Sequence, residues 1–193
     1  MIEQTFKLVP FPAAHIPAIR ITGTVFLENQ VLVLQYSLSG DIEPVLLPPA
    51  SRLPNRRDEL WKATCFEFFL AIKDEPGYWE FNMSPSGNWN AYRMDAYRRI
   101  GFREETAIEH LPFEFKKGSD GFFLDGSLDL TSFIRHERQL QMGIAAIIQT
   151  EGGSETYWAL AHPAPDADFH LRDSFILAPV EQTHPLGQSA RHG

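Results

Sequence analysis

The residues best suited to bind a ligand cluster between Gly77 and Arg99, in the stretch GYWEFNMSPSGNWNAYRMDAYRR. Two tryptophans and three tyrosines occur there beside carboxylate, amide and guanidinium side chains. A tryptophan ring can pack against the apolar C–H patches of a polyhydroxylated molecule, while carboxylates and amides bind its hydroxyl groups. The composition of this stretch therefore favours a site for a sugar-like ligand.

Strand periodicity decides which of these side chains can meet, because neighbouring residues of a strand point to opposite faces of the sheet. A four-residue turn over residues 84–87 would pair Asn82 with Trp89. A second such turn over residues 74–77 would add the strand TCFEFFLAI to the same sheet. The polar face of that sheet is then predicted to carry Cys65, Glu67, Phe69, Ala71, Tyr78, Glu80, Asn82, Trp89, Arg93 and Asp95. The opposite face is almost entirely apolar and is the expected core side.

Two interpretations of the polar face remain open. Glu67 stands between Phe66 and Phe68, in a run too apolar for an ordinary surface strand, so its carboxylate needs a partner. A bound ligand would supply that partner. Arg93 could also supply it, in which case the polar face is simply the solvated side of an antiparallel sheet.

The elements that must position these residues are strands. Period-two alternation dominates the chain, and RITGTVFLENQVLVLQYSLSGD predicts two strands joined at residues 28–30. Short strands separated by Gly, Pro, Asn and Asp predict an all-β fold, an antiparallel β-sandwich of the immunoglobulin-like or jelly-roll type. At most one short helix is expected, in DLTSFIRHERQ, where Asp129 or Thr131 could cap it.

A single domain is predicted for residues 1–180, followed by a polar tail over residues 181–193. The proline-rich segment EPVLLPPASRLPNRRDELW is expected to be a long loop near one rim of the sandwich. No internal repeat is present.

Composition narrows the class of protein. The 193 residues carry a formal net charge of −8, which argues against nucleic acid or an anionic membrane surface as a partner. No apolar run is long enough for a membrane-spanning helix, and the first residues do not have the pattern of a signal peptide. The single cysteine, Cys65, excludes an internal disulfide and fits a reducing compartment. We therefore expect a cytoplasmic protein that binds a small molecule.

The motifs LWKATCFEFFL, YWEFNMSPSGNWNAYR and YWALAHP…DFHLRDSFIL resemble those of bacterial DOMON-like proteins, relatives of the family 9 carbohydrate-binding modules. The resemblance covers residues 58–177. It implies a β-sandwich that binds a sugar or a haem on one sheet. Similar sugar-binding modules clamp a terminal sugar with aromatic rings, so Trp89 is the expected first wall, and Trp61 and Trp158 are the candidates for the second. The shared DFHLRD motif adds His170 and Arg172 to the candidate ligand-binding residues.

The same resemblance raises two possible cofactors, although none is required by the sequence. Haem-binding DOMON domains hold iron through a methionine and a histidine or lysine, and here Met83 with His162 or His170 would be the candidates. Similar sugar-binding modules often hold structural calcium. Asp166 and Asp168 alternate with His170 and are weak candidates for such a metal site, but a turn network among these residues is the alternative.

Two catalytic alternatives need testing. Cys65 with His162 or His170 would be a nucleophile and base if the three lay close together, although small buried cysteines are common. Glu67 and Glu80 could act as the two carboxyl groups of a glycosidase if their separation suited that chemistry.

The prediction that follows is a non-catalytic binding module for a small carbohydrate or similar polar metabolite, with Trp89, Glu67, Glu80, Asn82 and Arg93 at its centre. A haem-binding domain and a protein-interaction domain are the alternatives from other functional classes.

Overall fold

The computed structural model describes residues 3–98, 101–135 and 138–182. Two β-sheets account for the regular structure of these residues. The first sheet contains β1 (Gln4–Lys7), β3 (Ile19–Glu28), β4 (Val31–Gly40), β9 (Phe113–Lys117), β10 (Gly121–Asp129) and β13 (Glu181–Gln182). The second contains β2 (Val9–Pro10), β5 (Cys65–Ile72), β6 (Tyr78–Met83), β7 (Trp89–Met94), β8 (Arg103–Glu104), β11 (Leu140–Gln149) and β12 (Glu155–Ala159).

The two sheets form an antiparallel β-sandwich, as predicted. The first runs in the order β1-β3-β4-β10-β9, with β13 pairing parallel to β3, and the second in the order β2-β12-β11-β5-β6-β7-β8. The alternating apolar residues of both sheets meet in one large core. Only two isolated 3₁₀ turns, Leu60–Lys62 and Arg172–Ser174, interrupt the strands and loops of the described residues. None of the helical segments described is long and apolar enough to cross a membrane.

The β3–β4 hairpin forms where the sequence predicts it. Asn29 and Gln30 both have positive φ, 51° and 61°, so the strands are joined by a two-residue turn with Glu28 opposite Val31. Positive φ at both central residues is the geometry that matches the twist of the flanking strands.

The short helix expected after Asp129 is not an α-helix. Asp129 Oδ1 accepts hydrogen bonds from the backbone N–H and the hydroxyl of Thr131, at 2.9 and 2.7 Å. These bonds cap a single turn, in which the amides of Phe133 and Ile134 both donate to the carbonyl of Leu130. The predicted polar tail begins with strand β13, and residues 183–193 lie outside the described residues.

The register of the two hairpins β5–β6 and β6–β7 decides the composition of the site. In β5–β6, Glu67 lies opposite Asn82 and Ala71 opposite Tyr78, two residues away from the predicted register. A shift of two keeps every side chain on its predicted face. In β6–β7, Met83 lies opposite Trp89, one residue away from the predicted register. A shift of one moves every side chain of β7 to the other face.

Candidate functional site

The outer face of the seven-stranded sheet holds Glu67, Glu80 and Asn82, as the strand alternation predicts. Glu67 and Glu80 are diagonal neighbours on β5 and β6, because Glu80 lies opposite Phe69. Diagonal side chains in a sheet have Cβ atoms about 7–8 Å apart or less, so the two carboxyl groups share one region of the surface.

The predictions that Trp89 and Arg93 lie on this face are wrong. Trp89 is 5% exposed within the core between the sheets, with the guanidinium of Arg56 4.4 Å from its ring. Arg93 is stacked 3.7 Å above the ring of Trp79 on the same inner side, so it is not the partner of Glu67.

The cause of this error is a turn of five residues rather than four. The backbone N–H of Ser84 donates to the carbonyl of Asn88 at 2.9 Å, and Gly87 adopts φ +88°. The hydroxyl of Ser86 accepts from the side-chain amide of Asn88 at 3.1 Å and donates to the hydroxyl of Ser84 at 2.8 Å. These side-chain bonds hold the longer turn, and the extra residue reverses the faces of β7.

The aromatic wall of the site comes from Trp61 and not from Trp158. Trp158 points into the core and is 3% exposed. Trp61 belongs to the 3₁₀ turn Leu60–Lys62, which places its ring over the outer face at 5.8 Å from the ring of Tyr92. Residues of the long proline-rich loop therefore reach the site, although the sequence predicts this loop only near a rim.

A second, smaller apolar cluster covers part of the same outer face. Phe175 lies in this cluster directly over Gly143 of β11, where a Cβ atom would come within 2.8 Å of the Phe175 ring. Phe169 packs against the cluster from the segment that follows β12. The missing side chain at position 143 thus allows the loop that follows β12 to fold over the sheet.

Between this loop and the Trp61 turn lies a cavity of about 680 Å³. That size is within the usual range for small-molecule sites, about 300–1,000 Å³. Its walls combine aromatic rings, acidic groups and one imidazole. The lining includes Asp58, Trp61, Glu67, Glu80, Tyr157, Asp168, Phe169 and His170.

Glu67 is the most deeply buried acid of the cavity. It is 3% exposed, and among the described residues its Oε1 atom has no hydrogen-bond partner. Burial and the neighbouring carboxyl of Glu80 raise the pKa of Glu67 well above its usual value. The protein therefore disfavours ionisation of this carboxyl, and one of its oxygens lacks a hydrogen-bond partner among the described residues.

Glu80 is a second buried acid with little compensation from the protein. Burial raises its pKa to about 7, although the side-chain amide of Asn82 donates to Oε1 at 2.7 Å and opposes the shift. The nearest cationic candidate is His170, whose Nε2 lies 3.9 Å from Oε2 of Glu80. Burial lowers the pKa of His170 to about 4, so this imidazole is neutral near pH 7 and does not form an ion pair.

His170 is oriented by Tyr78 and by its own loop. The Tyr78 hydroxyl lies 3.0 Å from Nδ1 of His170 and accepts a hydrogen bond from the backbone N–H of Arg98. Nδ1 is the acceptor that the described residues place beside this hydroxyl, so we assign the hydroxyl proton to the bond with Nδ1 and the imidazole proton to Nε2. The arrangement presents an N–H donor on the side of Glu80.

Asp168 is a buried acid of the cavity that, unlike Glu67 and Glu80, has an arginine beside it. Its Oδ2 lies 3.0 Å from Nη2 of Arg98 and also accepts from the hydroxyl of Tyr97. Its Oδ1 accepts from the backbone N–H of His170 at 3.0 Å. Burial would raise the pKa of Asp168, but the hydrogen bonds from Tyr97 and Arg98 outweigh it and hold the pKa below its usual value.

The weak metal-site candidates Asp166 and Asp168 form no metal-binding group with His170 among the described residues. Asp166 is exposed and does not line the cavity, while Asp168 and His170 make the turn network described above. Within residues 3–98, 101–135 and 138–182, no three His, Cys, Asp or Glu side chains are placed to hold a metal ion together.

Arg172 is used inside the protein rather than in the cavity. Its guanidinium donates to the carbonyl of Glu75 and to Oε1 of Gln141, both at 2.7 Å, and lies near the ring of Phe175. These bonds tie the loop that follows β12 to the far end of the sheet. The effect of Arg172 on the site is therefore indirect.

The cysteine and haem alternatives are not supported by the geometry. Cys65 is fully buried, and burial followed by the charge of Glu67 raises the pKa of its thiol. Met83 lies in the core, on the opposite side of the sheet from the cavity, as the strand alternation predicts. His162 bonds the carbonyl of Val9 at 2.9 Å, so the methionine and this histidine do not form a common site.

Several cavity residues were missed by sequence reasoning. Asp58 and Phe102 come from loops, and no periodic pattern indicates where they point. Asp58 accepts a hydrogen bond from the hydroxyl of Tyr92, and Phe102 stacks on the Tyr92 ring at 4.8 Å. Tyr157 is predictable from the sequence, because strand alternation places its side chain on the opposite face of β12 from the core residue Trp158.

No family model matches the sequence, and a comparison with curated proteins finds no significant relative. Among solved structures, a protein from Bacteroides uniformis provisionally described as carbohydrate-binding is similar, with a TM-score of 0.69 and 12% identity over 93% of this chain and 86% of that chain.

A family 9 carbohydrate-binding module from Caldicellulosiruptor kristjanssonii is also similar. Its complex with cellotriose gives a TM-score of 0.60 and 11% identity over 97% of this chain and 87% of that chain. Its complex with glucose gives a TM-score of 0.53 and 9% identity over 91% of this chain and 83% of that chain. At these identities the likeness establishes the fold, a β-sandwich of the type seen in family 9 carbohydrate-binding modules, while membership of the DOMON-like proteins stays a prediction.

Proposed function

We propose that this protein is a non-catalytic binding module that takes a small saccharide into the cavity on the outer face of its seven-stranded sheet. The observation that carries the proposal is the pairing of an unsatisfied buried acceptor, Glu67 Oε1, with aromatic walls around one cavity of about 680 Å³. A purely apolar pocket would not contain an unsatisfied hydrogen-bond acceptor, and an acid at an ordinary surface position would be exposed to water rather than buried.

The chemistry of the walls suits a saccharide. The indole of Trp61 and the rings of Tyr157 and Phe169 offer apolar faces for the C–H patches of a sugar ring. Glu80 and Asp58 offer oxygen acceptors, and His170 offers an N–H donor, for hydroxyl groups. A few polar groups on an otherwise aromatic wall are the usual composition of a site that orients a polar ligand.

The structural neighbours support the same proposal. Two of these structures are complexes of a family 9 carbohydrate-binding module, one with cellotriose and one with glucose. The fold of this chain is therefore one that binds saccharides in other proteins. Because a shared fold does not imply a shared function, the proposal for this chain rests on the residues that line its cavity.

Isothermal titration with glucose and cellotriose tests the proposal. We expect Trp61→Ala to weaken binding by about 2- to 10-fold, because an aromatic stacking contact contributes roughly 0.5–1.5 kcal/mol. Phe123→Ala is the matched control, since Phe123 is 44% exposed on the other sheet and far from the cavity lining. Equal affinities of wild type and Trp61→Ala would contradict the site, and heat-silent titrations with both saccharides would contradict the function.

A further inference from the structure

We propose that the saccharide bound in this cavity carries a protonated amino group, which lies between the carboxyl groups of Glu67 and Glu80. The proposal deepens the proposed function and rests on it. It names the ligand class as an amino sugar with a free amine.

The two buried acids, Glu67 and Glu80, lack a cation of their own among the described residues. Within the described residues, neither Glu67 nor Glu80 has a lysine or arginine within salt-bridge distance. Asp168, in the same cavity, does have one in Arg98. Buried carboxylates are normally paired or hydrogen-bonded because isolated burial is costly. The missing positive charge at Glu67 and Glu80 is therefore expected to come from the ligand.

One oxygen of Glu67 also lacks a hydrogen-bond donor. Glu67 is 97% buried, yet its Oε1 receives no hydrogen bond from the described residues. Asn82 donates to Oε1 of Glu80, which leaves Oε2 of Glu80 with only His170 nearby, at 3.9 Å. An ammonium group carries three donors and no acceptor, so one such group can serve both acids at once.

The aromatic walls of the cavity also suit a cation. The rings of Trp61, Tyr157 and Phe169 surround the acidic groups. The negative face of an aromatic ring attracts a cation, and this attraction grows when the cation is removed from water. Aromatic rings beside carboxyl groups therefore favour an organic cation over a neutral or anionic ligand.

A bare metal ion fits these residues less well. The described residues hold no group of three acidic, histidine or cysteine side chains arranged for a metal, and Asp58 and Asp168 are already engaged by Tyr92 and Arg98. The cavity of about 680 Å³ is also much larger than an ion needs. An amine on a sugar ring fills the space and supplies the charge.

The protonation of the acids gives a signature for this mode of binding. Burial raises the pKa of Glu80 to about 7, so part of this carboxyl is protonated near pH 7, and burial together with the neighbouring Glu80 raises the pKa of Glu67 as well. An ammonium group between them favours their ionised forms, so binding of an amino sugar releases protons. The titratable and charged groups around Glu80 are Cys65 and Glu67 on β5, Tyr78 on β6, Tyr92 on β7, Asp58 from the proline-rich loop, Arg98 after β7, and Asp168 and His170 from the loop after β12.

The experiment compares D-glucosamine, D-glucose and N-acetyl-D-glucosamine by isothermal titration at pH 7. The buffers contain no amine, because an amine would compete, and they differ in ionisation enthalpy so that released protons can be counted. We expect glucosamine to bind about 10- to 100-fold more tightly than either neutral sugar, with proton release, because a hydrogen bond to a charged group is stronger than one to a neutral group.

Two variants and one control locate the effect. Glu80→Gln and Glu67→Gln should each reduce the preference for glucosamine toward that of glucose and reduce the proton release. Glu114→Gln is the control, because Glu114 is exposed on β9 of the other sheet and pairs with Lys116. It should leave all three affinities unchanged. Using both variants covers the case in which one of them folds poorly.

The outcomes separate this inference from the proposed function. Equal affinity for glucosamine and glucose would overturn the inference and leave saccharide binding in place. Binding of cyclohexylamine with no binding of any sugar would overturn saccharide binding and retain only a cation site. No binding of sugars or of cyclohexylamine would overturn both. A glucosamine preference that survives Glu67→Gln and Glu80→Gln together would place the amine elsewhere and would also overturn the inference.

Discussion

At the scale of single residues, the main feature of this molecule is a pair of buried acids whose ionised forms lower the stability of the fold. Glu67 and Glu80 lie next to each other beneath the covering loops, and their exposed fractions are 3% and 6%. Burial raises the pKa of both carboxyls, which means that folding opposes their ionised forms. Residues that cost stability and face a cavity are often residues that bind a ligand.

Glu67→Gln tests this cost directly. An acid whose folded-state pKa is raised contributes full stability below its unfolded pKa and loses it as the pH rises toward the folded pKa. The variant, which cannot ionise, should therefore be more stable than wild type at pH 8 by about 1–3 kcal/mol, and similar to it or slightly less stable at pH 4.5. Urea unfolding at the two pH values measures both free energies of unfolding.

The comparison between the two pH values is the internal control of this test. A lost hydrogen bond or a packing defect would destabilise Glu67→Gln equally at pH 4.5 and pH 8. A stability difference that does not change with pH would show that Glu67 is not a neutralised acid in the folded protein.

At the scale of elements, one turn determines which side chains reach the site. Residues 84–88 form a five-residue connection, and this length sends Trp89 into the core and Tyr92 to the outer face. Gly87 makes the turn possible through its φ of +88°. Its position is also crowded, because an added Cβ would lie 3.0 Å from Cγ of Pro54.

Gly87→Ala should destabilise the protein by about 1–2 kcal/mol, since a side chain at positive φ is strained and the contact with Pro54 must also adjust. For a chain of this size that corresponds to a fall in Tm of roughly 2–8 °C. Thermal unfolding followed by circular dichroism provides the measurement.

Gly152→Ala is the matched control for the crowding at position 87. Gly152 has a similar φ of +90°, but nothing lies within 4 Å of the position that its Cβ would take. The two variants share the conformational cost, so the larger destabilisation of Gly87→Ala measures the contact with Pro54. Equal effects of the two substitutions would rule out that contact as a source of strain.

Strand alternation could predict most of the fold and about half of the site. The β3–β4 hairpin follows from a turn-forming pair between two alternating runs, and the faces of Glu67 and Glu80 survive a register shift of two. The face of Trp89 was not predictable, because turns of four and five residues are both allowed by the sequence SPSGN. Residues such as Asp58 and Phe102 come from irregular loops, where no period indicates direction.

At the scale of the whole molecule, the sandwich provides stability and the loops provide the site. The main core lies between the sheets and includes residues of nearly every long strand. The second apolar cluster lies outside the sandwich and holds the loop that follows β12 over the sheet. The cavity is therefore placed at a boundary between a rigid sheet and a covering of irregular chain, where ligand-binding residues are commonly found.

The pH profile of stability should reflect two opposing groups beside the cavity, Glu80 on β6 and His170 in the covering loop. The pKa of Glu80 is raised to about 7, so its contribution to stability is complete below about pH 4.5 and is lost as the pH rises toward 7. The pKa of His170 is lowered to about 4, so its contribution is complete above about pH 6.5 and is lost as the pH falls toward 4. The pKa of Glu67 is also raised, so its contribution to stability likewise decreases as the pH rises.

With two acids against one histidine, we expect Tm to be highest near pH 5 and to fall toward pH 8. Glu80→Gln should raise Tm at pH 8 by roughly 5 °C and leave it nearly unchanged at pH 4.5. His170→Asn, whose amide oxygen can still accept from Tyr78, removes the opposing contribution and should instead make the fall in Tm between pH 4.5 and 6.5 steeper. Differential scanning calorimetry from pH 4 to 8 measures all three curves. A wild-type Tm that rises steadily to pH 8, or a Glu80→Gln curve parallel to it, would mean that Glu80 is ionised and compensated in the folded protein.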